Sequence, residues 1–181
     1  MIGKAKIGIM IFDTQTTTYD WGSIKRLKIE PPFPDIDISD VCVFGYDPGT
    51  TRMGIASIWN GTVTINEIKA VRSADPVERI MLNQNIMSHC VSLFTYHCTM
   101  VIEGSGFSKG FRQTELAEVR ASAALWAIKF ELTPIIVNPL TIRKVVFGSG
   151  KTRAEEVWSD LPPNAASALA CAYYCLMKKS K

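Results

Sequence analysis

The stretch Phe44-Gly45-Tyr46-Asp47-Pro48-Gly49-Thr50-Thr51-Arg52-Met53-Gly54-Ile55-Ala56 constrains everything around it. One apolar run, Val41 to Phe44, enters it, and a second, Ile55 to Trp59, leaves it. The pattern is strand, tight turn, strand. Pro48 presets one backbone dihedral, and Gly49 is expected to accept a positive one. Asp47 then occupies the last position of a buried strand and faces an opening. A carboxylate held there by a rigid element suits metal binding or catalysis. Read alone, the stretch also fits an ordinary turn aspartate that bonds its own backbone.

The chain has 181 residues, 47% hydrophobic and 20% charged, enough for one domain with a substantial core and some decoration. No apolar run is long enough to span a bilayer, so no membrane partner is expected. The N-terminus lacks the pattern of a signal peptide. A cytoplasmic location follows by default, or the DNA-containing compartment of a host cell for a viral or phage protein. The five cysteines form no C-x-x-C pair, and Cys42 and Cys171 lie in apolar runs. Reduced core thiols are the expectation. Cys171 and Cys175 share a helix face, but His89 and His97 are far away in sequence, which argues against zinc. A net charge of +3 is too small to prove a nucleic-acid partner.

Residues 1–40 read as an extension, a hairpin or arm with strands at Ile7 to Phe12 and Ile24 to Ile29. Pro31, Pro32 and Pro34 then forbid helix. From residue 41 the order is three strands, helix, strand, helix, strand, helices. Asn60-Gly61 marks a two-residue hairpin between the second and third of those strands. Helices are expected over Asp75 to Thr95, Thr114 to Glu131 and Asn164 to Lys178, with a turn from Pro139 and a short helix from Arg153. The helix from Thr114 is alanine-rich on one face, through Ala117, Ala121 and Ala124. The fold class is α/β: antiparallel hairpin strands extended by parallel strands into a mixed sheet, flanked by helices.

A second carboxylate, Glu103, ends the short apolar strand from Thr99 and precedes a Gly104-Ser105-Gly106 turn. If its strand neighbours that of Asp47, the two carboxylates converge. So close a pair calls for a divalent cation, and Mg²⁺-dependent phosphodiester hydrolysis is the natural chemistry.

Four segments, in this order, resemble the RuvC family of Holliday junction resolvases: residues 45–54, Val101-Ile102-Glu103, residues 139–150, and Asn164-Ala165-Ala166-Ser167-Ala168-Leu169-Ala170. The resemblance covers residues 41–178 and implies an RNase H-like fold, with residues 41–181 as the nuclease domain. It implies a homodimer that places paired nicks in branched, four-way DNA, using carboxylates and Mg²⁺, with Mn²⁺ as a substitute. By motif, Asp47 and Glu103 are the first two catalytic and metal-binding residues. Phe107 falls near the position of a junction-facing aromatic, and Lys109 and Arg112 lie in the DNA-contacting loop. Phe147-Gly148-Ser149-Gly150-Lys151 resembles a glycine-rich phosphate-contacting loop. Arg143, Lys144 and Arg153 complete the basic set.

The family's last helix opens with D-A-A-D-A, two carboxylates one turn apart. Here Asn164 and Ser167 stand at those positions. Asn164 offers a neutral oxygen to a metal, and Ser167 offers a hydroxyl. Three readings stay open: an isosteric Asp→Asn change at Asn164 that disables catalysis and keeps the fold, which we prefer; a natural binding-only relative; or a substitute carboxylate among Glu155, Glu156 and Asp160. An RNase H-type nuclease on another nucleic acid is a further alternative. Asp47-Pro48-Gly49-Thr50-Thr51 also resembles the first phosphate motif of the sugar-kinase and actin-like ATPases. That superfamily needs two such domains, and 181 residues do not hold both.

Overall fold

The computed structural model describes residues 7–11, 24–50, 52–69, 75–91, 98–105 and 113–179. Strands β1 (Ile7–Ile11), β2 (Ile24–Ile29), β3 (Cys42–Asp47), β4 (Arg52–Trp59) and β5 (Thr62–Lys69) precede helix α1 (Pro76–Val91). Then come β6 (Thr99–Glu103), α2 (Gln113–Lys129), β7 (Thr133–Val137), α3 (Pro139–Phe147), α4 (Ala154–Val157) and α5 (Pro163–Lys179). All seven strands form one sheet in the order β1-β2-β5-β4-β3-β6-β7. The β1/β2, β2/β5, β5/β4 and β4/β3 pairs are antiparallel. The β3/β6 and β6/β7 pairs are parallel. The expected α/β mixed sheet is therefore the observed one.

Strand alternation sorts the core into two layers. Val43, Ala56, Ile58, Val63, Ile65 and Val101 pack with α5, α3 and α4 on one face. Phe44, Tyr46, Met53, Ile55, Ile68, Met100 and Ile102 pack with α1 and α2 on the other. Segment 30–40 lies against the first layer: Ile38 is buried, and the Phe33 ring meets those of Tyr173 at 4.8 Å and Trp158 at 6.0 Å. No helix among the described residues is long and apolar enough to cross a membrane.

Local chemistry explains the element ends. Asn60 and Gly61 both take positive φ, at 43° and 74°, as the two-residue hairpin requires. The Asp75 carboxylate accepts from the Val77 amide at 2.8 Å, which caps α1. Asn138 does the same for α3 through Leu140 N at 2.9 Å, with Pro139 in the first turn and Gly148 closing the helix at φ 78°.

Two expectations need correction. Gly49 has no positive φ; its constraint is space, since a Cβ there would lie 1.7 Å from the Arg52 carbonyl oxygen. Cys42 and Cys98 are joined in a disulfide, because the parallel pairing of β3 and β6 sets the two thiols side by side at the strand starts. Cys171 and Cys175 are free and buried, as expected. On α2 the core-facing residues are Val119, Ser122, Ala123, Trp126 and Ala127, while Ala117 and Ala121 are exposed and Ala124 is half-buried.

Candidate metal and nucleic-acid site

The β3/β6 register pairs Tyr46 with Ile102, so the next step brings Asp47 beside Glu103. Asp47 lies on the same strand face as Val43, and Glu103 on the same face as Val101. Both valines belong to the layer beneath α5, so both carboxylates project on that side. They sit at the C-terminal ends of adjacent parallel strands, where open α/β sheets place their ligands.

The two carboxyls lie close enough that each shifts the other's titration. Burial, then the charge of Glu103, pushes the Asp47 carboxyl well above the usual aspartate range. Burial also raises Glu103, while the neighbouring Asp47 carboxyl and the charges of Arg143 and Arg120 pull it back down. Both residues keep partial contact with solvent. A half-buried carboxyl pair at the sheet edge, which Arg120 and Arg143 offset only in part, is a donor set suited to a hard dication. Mg²⁺, or Mn²⁺ in its place, fits because it is commonly held by one or two carboxylates plus substrate phosphates. Among the described residues, no group of three or more His, Cys, Asp or Glu could hold a metal ion. The fit is therefore to a site built on two carboxylates.

Two glycines bring α5 onto this corner. A Cβ on Gly45 would lie 1.9 Å from the Ala168 carbonyl oxygen, and one on Gly54 would lie 2.1 Å from that of Asn164. Gly54 is also the β4 partner of Asp47. Helix α5 thus rides directly on the sheet, with the Asn164 backbone over the residue that pairs with Asp47. Asn164 and Ser167 are both half-buried. One turn further on, Cys171 is close enough that the carboxylate charges add to burial in pushing its thiol up.

The candidate substitute carboxylates divide cleanly. Glu156 is occupied in capping α4, where its Oε2 accepts from Arg153 N at 3.1 Å. Asp160 is exposed. Glu155 is half-buried, 3.9 Å from Arg153, and its charge raises both Asp47 and Glu103.

The basic residues divide as well. Arg143 is half-buried, and its charge reaches Glu103. Lys144, Lys151 and Arg153 are exposed along α3, its following turn and the start of α4. Phe107, Lys109 and Arg112 lie outside the described residues. Sequence reasoning missed Arg120 and Asn138. Arg120 Nε donates to the Glu103 carbonyl at 3.0 Å and Nη2 to that of Gly104 at 3.2 Å. Asn138 Nδ2 donates to the Ser105 carbonyl at 3.3 Å. The available signal was an arginine beside Val119 on the core-facing side of α2, where a charge needs a partner.

No family model and no curated protein matches the chain. Solved structures do. The Thermus thermophilus RuvC structure superposes with a TM-score of 0.62 at 14% identity, over 77% of this chain and 96% of that one. Thermus thermophilus RuvC in complex with Holliday junction substrate gives 0.62 at 13%, over 78% and 96%. At such low identity the likeness speaks for architecture: the chain has the RuvC-like, RNase H-like α/β fold.

Proposed function

We propose that this chain is a metal-dependent nuclease of branched DNA, a Holliday junction resolvase that works as a homodimer. The observation that carries the reading is the Asp47–Glu103 carboxyl pair at the ends of adjacent parallel strands. It is supported by the fold shared with a RuvC that was captured on a Holliday junction. Asp47 and Glu103 would hold Mg²⁺ or Mn²⁺, with the Asn164 oxygen as a neutral third donor. A bound dication would supply Lewis-acid polarisation of the phosphodiester and a more acidic attacking water. Arg143, Lys144, Lys151 and Arg153 would take the DNA backbone, Phe107 would face the branch point, and Lys109 and Arg112 would contact the DNA beside it. We place the activity in the cytoplasm, or in a host-cell DNA compartment.

Paired nicks need two active sites. Ala117, Ala121, Leu125 and Ile128 form an exposed stripe at helical spacing on α2, with Leu125 62% and Ile128 61% exposed. We assign the homodimer contact to this stripe. A second functional reading, a junction binder without cleavage, draws on the neutral Asn164 and Ser167 at the start of α5. Restoring charge decides between them. On a synthetic four-way junction with Mg²⁺, Asn164→Asp is expected to nick symmetrically at least ~10²-fold faster than the parent chain, and EDTA should abolish the difference. If both proteins bind and neither cuts, the binder reading wins. If neither prefers the junction over linear duplex, the substrate is wrong, and RNA–DNA hybrids come next.

A further inference from the structure

The segment that follows Glu103 is held from three sides. Arg120, reaching from α2, grips the carbonyls of Glu103 and Gly104 with two guanidinium nitrogens, at 3.0 and 3.2 Å. The Gly104 amide donates to the Val137 carbonyl at 2.7 Å, which extends the β6/β7 ladder by one bond. Asn138 holds the Ser105 carbonyl from the start of α3. Gly104 itself has little room: a Cβ there would lie 3.0 Å from the Val137 oxygen and 3.3 Å from Ile136 Cγ2. Of these contacts, the arginine fork is the one made by a charged side chain to the main chain of a proposed metal ligand. It comes from the helix to which we assign the dimer contact.

We propose that Arg120 is a positioning residue, whose two hydrogen bonds to the Glu103 and Gly104 carbonyls fix the backbone that aims the Glu103 carboxylate. The inference rests on the metal-site reading above. It requires Arg120 to act through geometry rather than charge, and the two act oppositely on a cation. A guanidinium beside two carboxylates repels an incoming dication, so removing a purely electrostatic Arg120 would tighten metal binding. Removing a positioning Arg120 would weaken it, in the range of 10–100-fold typical of groups that orient metal ligands.

The experiment compares the parent chain with Arg120→Gln and Arg120→Lys, with Asp47→Asn as the site control. Mn²⁺ affinity is measured by calorimetry. In parallel, hydrogen exchange is followed at the Gly104 amide in metal-free protein. The proposal predicts Mn²⁺ binding weakened roughly 10–100-fold in Arg120→Gln and faster Gly104 exchange in that variant. Arg120→Lys keeps the charge and one donor group but loses the planar fork, so it should fall short of full rescue in both readouts. Unchanged or tighter Mn²⁺ binding in Arg120→Gln overturns the proposal. So does a lysine variant that matches the parent, or unaltered Gly104 protection. If the parent does not bind Mn²⁺, or Asp47→Asn binds it equally well, the metal-site reading is what fails. Gly104 exchange then still decides whether Arg120 holds this turn.

Discussion

At Asp47, burial and the facing Glu103 both favour the protonated carboxyl. A group whose folded pKa is raised above its unfolded value stabilises the fold below the unfolded value, and that contribution is lost as pH rises through the folded value. Metal-free protein should therefore lose stability as pH climbs from the ordinary aspartate range, near 3.8, through the raised value, and Glu103 shifts in the same direction. Asp47→Asn keeps the shape and removes the titration. In EDTA its Tm should exceed the parent's at pH 8, with the gap closing towards pH 4. Each kcal/mol corresponds to roughly 2–4 °C at this chain length. Mg²⁺ should raise the parent's Tm and leave the variant's unchanged; a variant that is less stable at pH 8 without metal would contradict this account. Asp47 and Glu103 were legible in sequence because each ends an apolar run just before a glycine-containing turn. Arg120 was not, because its partners are main-chain carbonyls 16 and 17 residues away, and a carbonyl has no letter of its own. Glu155 was legible only as one of three acids, until α4 set it near the pair.

Helix α5 owes its seat to Gly45 and Gly54. In Gly54→Ala the new methyl meets the α5 main chain, the Asn164 carbonyl oxygen at 2.1 Å and its carbon at 2.5 Å, and neither can swing away. We expect a loss of about 1–3 kcal/mol, the usual range for overpacking, read as a lower urea midpoint. An unchanged midpoint would mean that the close approach carries no weight. Helix α2 shows where periodicity stops informing. Its apolar residues lie on two faces, so spacing alone does not say which of Leu116, Leu125 and Trp126 face the core. In the fold, Trp126 is buried and its Nε1 donates to Ser88 Oγ at 2.8 Å, Leu116 is half-buried, and Leu125 stands out in solvent. Leu125→Asp should leave the fold intact and shift sedimentation at micromolar concentration from dimer towards monomer. A dimer that is unaffected places the contact elsewhere.

Across the whole molecule, the order of elements was readable, because strands, hairpin and helices each carry local signals. What joins distant elements was not. The Cys42–Cys98 bond depends on β3 lying next to β6, a fact no cysteine spacing encodes; the two residues are 56 apart. Opening that loop by Cys98→Ser should cost about 2–4 kcal/mol, and the parent should lose a similar amount when a reductant is added; no change in either would show the bond to be thermodynamically idle. Likewise, the sequence marked β1 and β2 as strands of an appended hairpin. That β2 would align with β5 and carry the sheet outward depends on the free edge that β5 offers.

The sheet order has one more consequence. The meander of β3, β4 and β5 can assemble from neighbours in the chain, and it carries Asp47 alone. Glu103 arrives only when β6 docks in parallel on the far side of β3, after β4, β5 and α1 have been threaded between them. Such long-range pairing is the slow part of building a sheet. Neither half of the chain holds the pair of carboxylates by itself. A nascent or damaged chain that has not paired β6 with β3 therefore lacks the carboxyl pair, and the architecture keeps a proposed DNA-cutting centre unassembled until that long-range pairing has formed.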